Sequence, residues 1–149
     1  MNVTQLIETL NDNKFMRSDE EVMSFEYTLA ELALHRNTEY LPTLYLVFDD
    51  RCEQHEVMYG LIHFVESFEI KDQLQAFIDS IDRMIVNAKE WTMILLYGIL
   101  NQDLARNLYS QMLHSTHSQN RDLCTHLLRE IVANESPPLS SHAESVISG

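Results

Sequence analysis

Apolar residues recur every three or four positions along almost the whole chain, the period of an amphipathic helix. Leu6, Ile7 and Leu10 predict a first helix from Val3 to about Asn11, ended by Asn11-Asp12-Asn13. Ser18-Asp19-Glu20-Glu21 reads as a capping box, with the Ser18 hydroxyl accepting from the Glu21 backbone and the Glu21 carboxylate reaching back. The helix behind it turns Val22, Phe25, Leu29 and Leu32 inward. Pro42 suits a helical first turn, so a short third helix is expected to carry Leu44, Val47 and Phe48. Asp49-Asp50-Arg51-Cys52-Glu53 reads as a polar loop.

A fourth helix is expected from about Gln54 to Phe68. Its residues Val57, Met58, Leu61, Ile62, Phe64, Val65 and Phe68 fall in one arc of roughly 160°. Glu56, Tyr59, His63 and Glu66 fall on the other side. The fifth, about Lys71 to Asn87, buries Leu74, Phe77, Ile78, Ile81, Met84 and Ile85. Trp91 to Leu100 is apolar nearly all round, which predicts a central, buried helix. Leu104, Leu108 and Met112 mark a further helix. After a polar linker from His114 to Asn120, Leu123, Leu127 and Ile131 mark the last. From Glu135 the chain turns to Pro137-Pro138 and a Ser-rich end, expected to be disordered.

The pattern therefore predicts an all-α protein of seven or eight antiparallel helices. They would pack as a single bundle or as a short HEAT-like α-solenoid, with any repeats degenerate. One helical domain is expected over residues 1–134, followed by a flexible tail over 135–149. Only three Gly and three Pro are present, too few for the turns of an all-β fold. The two cysteines, Cys52 and Cys124, make no disulfide framework and are expected to be reduced in the cytoplasm. The first residues lack the basic and apolar segments of a signal peptide. The most apolar stretch, Met93 to Leu100, is far below the ~20 residues of a membrane span.

The net charge of −13 changes the picture most. It opposes direct binding to nucleic acid or to an anionic membrane, because phosphates repel it. It favours a basic partner instead. The charge is uneven: residues 1–82 hold seventeen acids and five bases, a net −12, while residues 83–149 are at −1.

Catalytic chemistry finds little to stand on. No glycine-rich nucleotide motif is present, and no Cys pair has zinc-ligand spacing. Nothing sets Cys52 or Cys124 in an activating environment. His63 and Glu66, at i, i+3 with Glu56 two turns earlier, resemble half of a carboxylate–histidine metal site. The second half is missing, since His35, His114, His117 and His126 have no matching Glu in that register. No catalytic residue, metal or cofactor is therefore expected.

The same residues make a recognition face. Tyr59 supplies a rigid aromatic contact of the kind found at binding hot spots, flanked by Glu56, His63 and Glu66. The loop acids Asp49, Asp50 and Glu53 and the helix-end acids Glu69 and Asp72 lie close in sequence. Together these nine residues form the expected partner-binding set, offering carboxylates to Lys and Arg. A merely solvated polar face is the competing reading. Gly60, mid-helix at the edge of the apolar arc, is expected to let a neighbouring helix come close.

The segment His55-Glu56-Val57-Met58-Tyr59-Gly60-Leu61-Ile62-His63-Phe64-Val65-Glu66 resembles the signature of a bacterial immunity-protein family, the all-helical immunity protein 30 family of polymorphic toxin systems. Leu46-Val47-Phe48-Asp49-Asp50 fits the same pattern. So does Glu90-Trp91-Thr92-Met93-Ile94-Leu95-Leu96-Tyr97-Gly98-Ile99-Leu100-Asn101. The resemblance covers about residues 40 to 110. It implies a small cytoplasmic protein, encoded beside a toxin, that binds and neutralises it, as in contact-dependent growth inhibition. The family's hallmark Glu and Gly would fall on Glu56 and Gly60. Many delivered toxins are nucleases, which hold phosphates with basic surfaces. The combined expectation is a monomeric, non-enzymatic inhibitor that covers a basic nuclease toxin with carboxylates. The alternative is a general helical-repeat adaptor for basic proteins or peptides.

Overall fold

The computed structural model describes residues 1–115 and 117–149. Among these, nine α-helices and one 3-10 turn are present and no strand. The helices are α1 (Val3–Asp12), α2 (Asp19–Ala33), α3 (Leu41–Tyr45, preceded by the 3-10 turn Thr38–Tyr40), α4 (His55–Glu66), α5 (Ile70–Asn87), α6 (Lys89–Leu100), α7 (Asp103–His114), α8 (Gln119–Asn134) and α9 (Leu139–Ser148).

Local chemistry explains the starts. Asn2 caps α1, accepting from the Gln5 backbone while the Gln5 side chain accepts from the Asn2 N–H, a full capping box. Ser18 caps α2 by accepting from the Glu21 N–H. Glu21 does not close the expected box: its carboxylate takes the Arg17 backbone N–H and the Arg17 guanidinium instead. Asp19, Glu20 and Glu21 fill the first turn of α2, where the helix dipole favours negative charge.

Packing runs from α1 against α2, and α2 against α4, to α5, which touches α3, α4, α6, α7 and α8. The first helices are laid side by side. The later ones close around α5, and α9 reaches back to α6, α7 and α8. One continuous core joins Leu10, Phe25, Leu32, Leu44, Phe48, Met58, Leu61, Phe77, Trp91 and Leu96 with the buried side of α8 and α9. The inward residues expected for α1, α4 and α5 lie in or against this core.

Two expectations need correction. Residues 139–148 form α9 rather than a disordered tail. Ala143 and Val146 are buried in it, and the Val146 carbonyl accepts from Ser110 Oγ and lies 2.8 Å from His114 Nε2. Ala143 and Val146, helped by the partly covered Leu139 and Ile147, dock a helix whose sequence is otherwise Ser-rich. In α7 the buried row is Ala105, Tyr109 and Leu113, and Leu104 is exposed. Leu108 and Met112, which marked this helix in the sequence, pack against the core in part. In α6, Trp91, Thr92, Leu95, Leu96 and Leu100 are buried, but Met93, Ile94, Tyr97 and Ile99 are only partly covered. The linker expected from His114 to Asn120 includes Thr116, which lies outside the described residues.

Candidate functional site

The loop before α4 is the joint of the molecule. Ala88 alone separates α5 from α6 and has no side chain with which to cap either. Asp50 does both from a distance. Its N–H donates to the Asn87 carbonyl at the end of α5. Its carboxylate accepts from the Glu90 and Trp91 N–H groups that open α6, at 3.0 and 3.2 Å. The neighbouring Asp49 carbonyl accepts from the Trp91 indole.

The Asp49 carboxylate is fully buried and takes the Arg51 N–H and guanidinium, with Lys14 Nζ at 3.5 Å. Burial alone would push this carboxyl up. The Arg51 hydrogen bonds and the charges of Lys14 and Arg51 outweigh it and hold the group below the usual carboxylate range. Arg51 lies over Phe15, and the Glu53 N–H donates to the Phe15 carbonyl, so the loop is tied to the α1–α2 connection as well. Asp49 and Asp50, two of the nine partner-binding candidates, are thus spent on the fold. Their carboxylates face protein groups.

The other seven are distributed around α4. Glu53, Glu56 and His63 are exposed, with Glu56 in the first helical turn. Tyr59 is 40% exposed and rests edge-on against Trp91, at 5.3 Å between ring centres, with His55 on the same indole. Glu66 lies at the far end, roughly 15 Å from Glu56 along the helix axis. There it borders a cleft of about 340 Å³ with Gln73, Gly98, Asn101 and Gln102. A Cβ on Gly98 would stand 3.3 Å from the Glu66 carboxylate. Burial raises the Glu66 pKa, opposed by the charge of His63. Glu69 is exposed just before α5, and Asp72 is half-buried in its first turn. Glu56, Tyr59 and His63 therefore share one side of α4, Glu53 lies just before that helix, and Glu66, Glu69 and Asp72 follow from its far end into α5.

Between α2 and α4 runs a groove of about 560 Å³. Glu26, Glu56 and His63 stand beside an apolar floor that includes Leu29, Val57 and Gly60. Gly60 does sit at this helix contact, but a Cβ there would meet Leu29 at 3.5 Å, ordinary van der Waals distance. Arg36 closes one end, donating to the Ser67 hydroxyl and carbonyl and stacking on Phe68 at 4.3 Å. The α2 side of this groove was missed in the sequence. Its signal was present: Glu26, Leu29, Ala30 and Ala33 repeat at helical spacing on one flank of α2.

Among the described residues, no cluster of His, Cys, Asp and Glu is arranged to hold a metal ion. Cys52 and Cys124 are both buried, and burial raises both thiols, Cys124 to about 11. No helix among the described residues is long and apolar enough to cross a membrane.

The class these features define is an all-helical protein with a groove between α2 and α4 that Glu26 and Glu56 border. The chain belongs to the Immunity protein 30 family, whose model matches residues 12–109, about two-thirds of its length. That span runs from the end of α1 into α7 and holds the joint, the groove and both groups of acids. No curated protein and no solved structure matched the chain.

Proposed function

We propose that this chain binds a cognate toxin in the cytoplasm and neutralises it as a stoichiometric, non-catalytic inhibitor. The toxin is a basic nuclease domain of a contact-dependent growth inhibition system. The inhibitor works by laying carboxylates where the substrate's phosphates would sit. Family membership over residues 12–109 is the observation that carries the reading. The distribution of charge supports the basic partner: α2 and α4 together contain Asp19, Glu20, Glu21, Glu26, Glu31, Glu56 and Glu66 and no Lys or Arg.

Glu53, Glu56, Tyr59 and His63 are the residues best placed to touch the toxin, since their outward atoms are free of structural duties. Opposed charge speeds encounter as well as holding the complex, so association should be fast at low salt and slow as salt rises. The test uses the toxin domain encoded immediately upstream. Mixed with this chain, it is expected to form a complex of fixed stoichiometry and lose its nuclease activity in proportion to the chain added. Full activity at a saturating excess of the chain would overturn the proposal.

A further inference from the structure

The outward side of α2 carries a row of apolar residues that the core does not use. Met23, Tyr27, Ala30 and Leu34 follow at intervals of four, three and four residues, so they form one stripe. Met23, Tyr27 and Leu34 are 70%, 63% and 73% exposed, while Phe25, Thr28 and Leu32 fill the core from the opposite side. The stripe is roughly 16 Å long, three helical turns. Val86, Leu104 and Val132 are also exposed, but they sit one each on α5, α7 and α8. Single exposed apolar residues are ordinary; a three-turn row on one helix marks a contact surface.

The stripe runs into the groove between α2 and α4. Ala30 belongs to both, and Gly60 keeps the α4 wall free of a side chain. Acids border both parts: Glu26 from α2 and Glu56 from α4 line the groove, and by helical register Glu20 and Glu31 flank the far side of the stripe. The guanidinium of Arg36, at one end, is engaged by Ser67 and Phe68. A trough between two helices, about three turns long, has the shape that accepts a third helix by its side-chain ridges. The acids on its rim select basic flanks on that helix.

We infer that this groove and the Met23–Tyr27–Leu34 stripe receive an amphipathic helix of the toxin. Its apolar residues recur every three or four positions and its flanks carry Lys and Arg. This rests on the toxin-binding reading above and adds where, and by what element, the toxin is held. Binding would cover the exposed stripe and bring the helix's cations against Glu26 and Glu56.

The test compares the native chain with two triple variants against the upstream-encoded toxin domain. One is Met23→Ser, Tyr27→Ala, Leu34→Ser; the control is Val86→Ser, Leu104→Ser, Val132→Ser. Because all six side chains are exposed, both variants are expected to keep the native circular dichroism spectrum. The stripe variant should bind on the order of 100-fold more weakly, as loss of hot-spot residues does, and the control within about threefold of native. Hydrogen exchange on the native complex should slow in α2, α4 and one Lys- and Arg-flanked helix of the toxin. Equal affinity of the stripe variant and the native chain would overturn the docking site while leaving toxin binding intact. Protection of a toxin strand or loop instead of a helix would overturn the proposed occupant. Absence of binding by the native chain would overturn both this inference and the function it rests on.

Discussion

At the scale of single residues, Asp49 and Asp50 are adjacent acids with separate structural tasks. The buried Asp49 carboxylate pairs with the largely covered Lys14 and with Arg51, whose side chain is exposed, and Asp50 caps α6 across a joint that has no cap of its own. Asp49→Ala should cost about 1–3 kcal/mol, since it leaves the largely covered Lys14 ammonium without its counter-charge while the exposed Arg51 guanidinium turns to water. Asp50→Ala should cost about 1 kcal/mol, the usual worth of a cap. Urea unfolding followed by circular dichroism measures both. The Asp49 pKa is depressed in the folded state, so its contribution is complete above the unfolded carboxyl value near 3.9 and fades as pH falls through the folded pKa. The native chain should therefore lose stability on acidification below about pH 4, and Asp49→Asn should lose less over the same range. An identical acid dependence for both would show that Asp49 is not the group responsible. Tyr109 offers the opposite case. Among the described residues its buried hydroxyl has only the Cys124 thiol, a weak partner, beside it. Tyr109→Phe removes that burden and should leave stability unchanged or raise it by up to about 1 kcal/mol.

At the scale of elements, the sequence revealed what periodicity encodes. The cores of α1, α4 and α5 were legible because wide apolar arcs repeat at the helical period. Leu104, Leu108 and Met112 did mark α7, but apolar spacing alone did not reveal that Ala105, Tyr109 and Leu113 are its buried row. The tail was misread because Pro137-Pro138 and five serines mask the short docking pair Ala143 and Val146. The site was only half legible. Periodicity distinguishes the outer face of α4, yet it cannot say that an acid in a loop will cap a helix forty residues later, as Asp50 does. Nor did it flag the outer stripe of α2, since Leu and Tyr on a helix are ordinarily assigned to the core. Deleting residues 135–149 would expose the surfaces of α7 and α8 that α9 covers. A loss of several kcal/mol and a lower melting temperature are expected, because burying even one Val-sized side chain contributes about 1.5–3 kcal/mol. A truncated chain that melts at the native temperature would show that α9 is not part of the folded unit.

At the scale of the whole molecule, the charge and the packing divide the labour. The acids lie mainly in the first half, where α2 and α4 carry no base. The second half is nearly neutral and closes the bundle around α5. Reversing Glu53 and Glu56 to Lys should weaken toxin binding on the order of tenfold or more and flatten its salt dependence. The folded state should persist, since among the described residues neither carboxylate makes a hydrogen bond or close ion pair, Glu53 having only the more distant Arg17 charge nearby. The same reversal at Asp49 and Asp50 would instead damage the joint and lower stability, and only this pairing separates an interface effect from a folding effect.

The decisive measurement is calorimetric titration of the upstream-encoded toxin domain with this chain at low and high salt. A tight complex of fixed stoichiometry, weakened as salt rises and weakened further by Glu53→Lys with Glu56→Lys, is the expected result. Tight binding indifferent to both salt and charge reversal would contradict an acidic inhibitor acting on a cationic toxin.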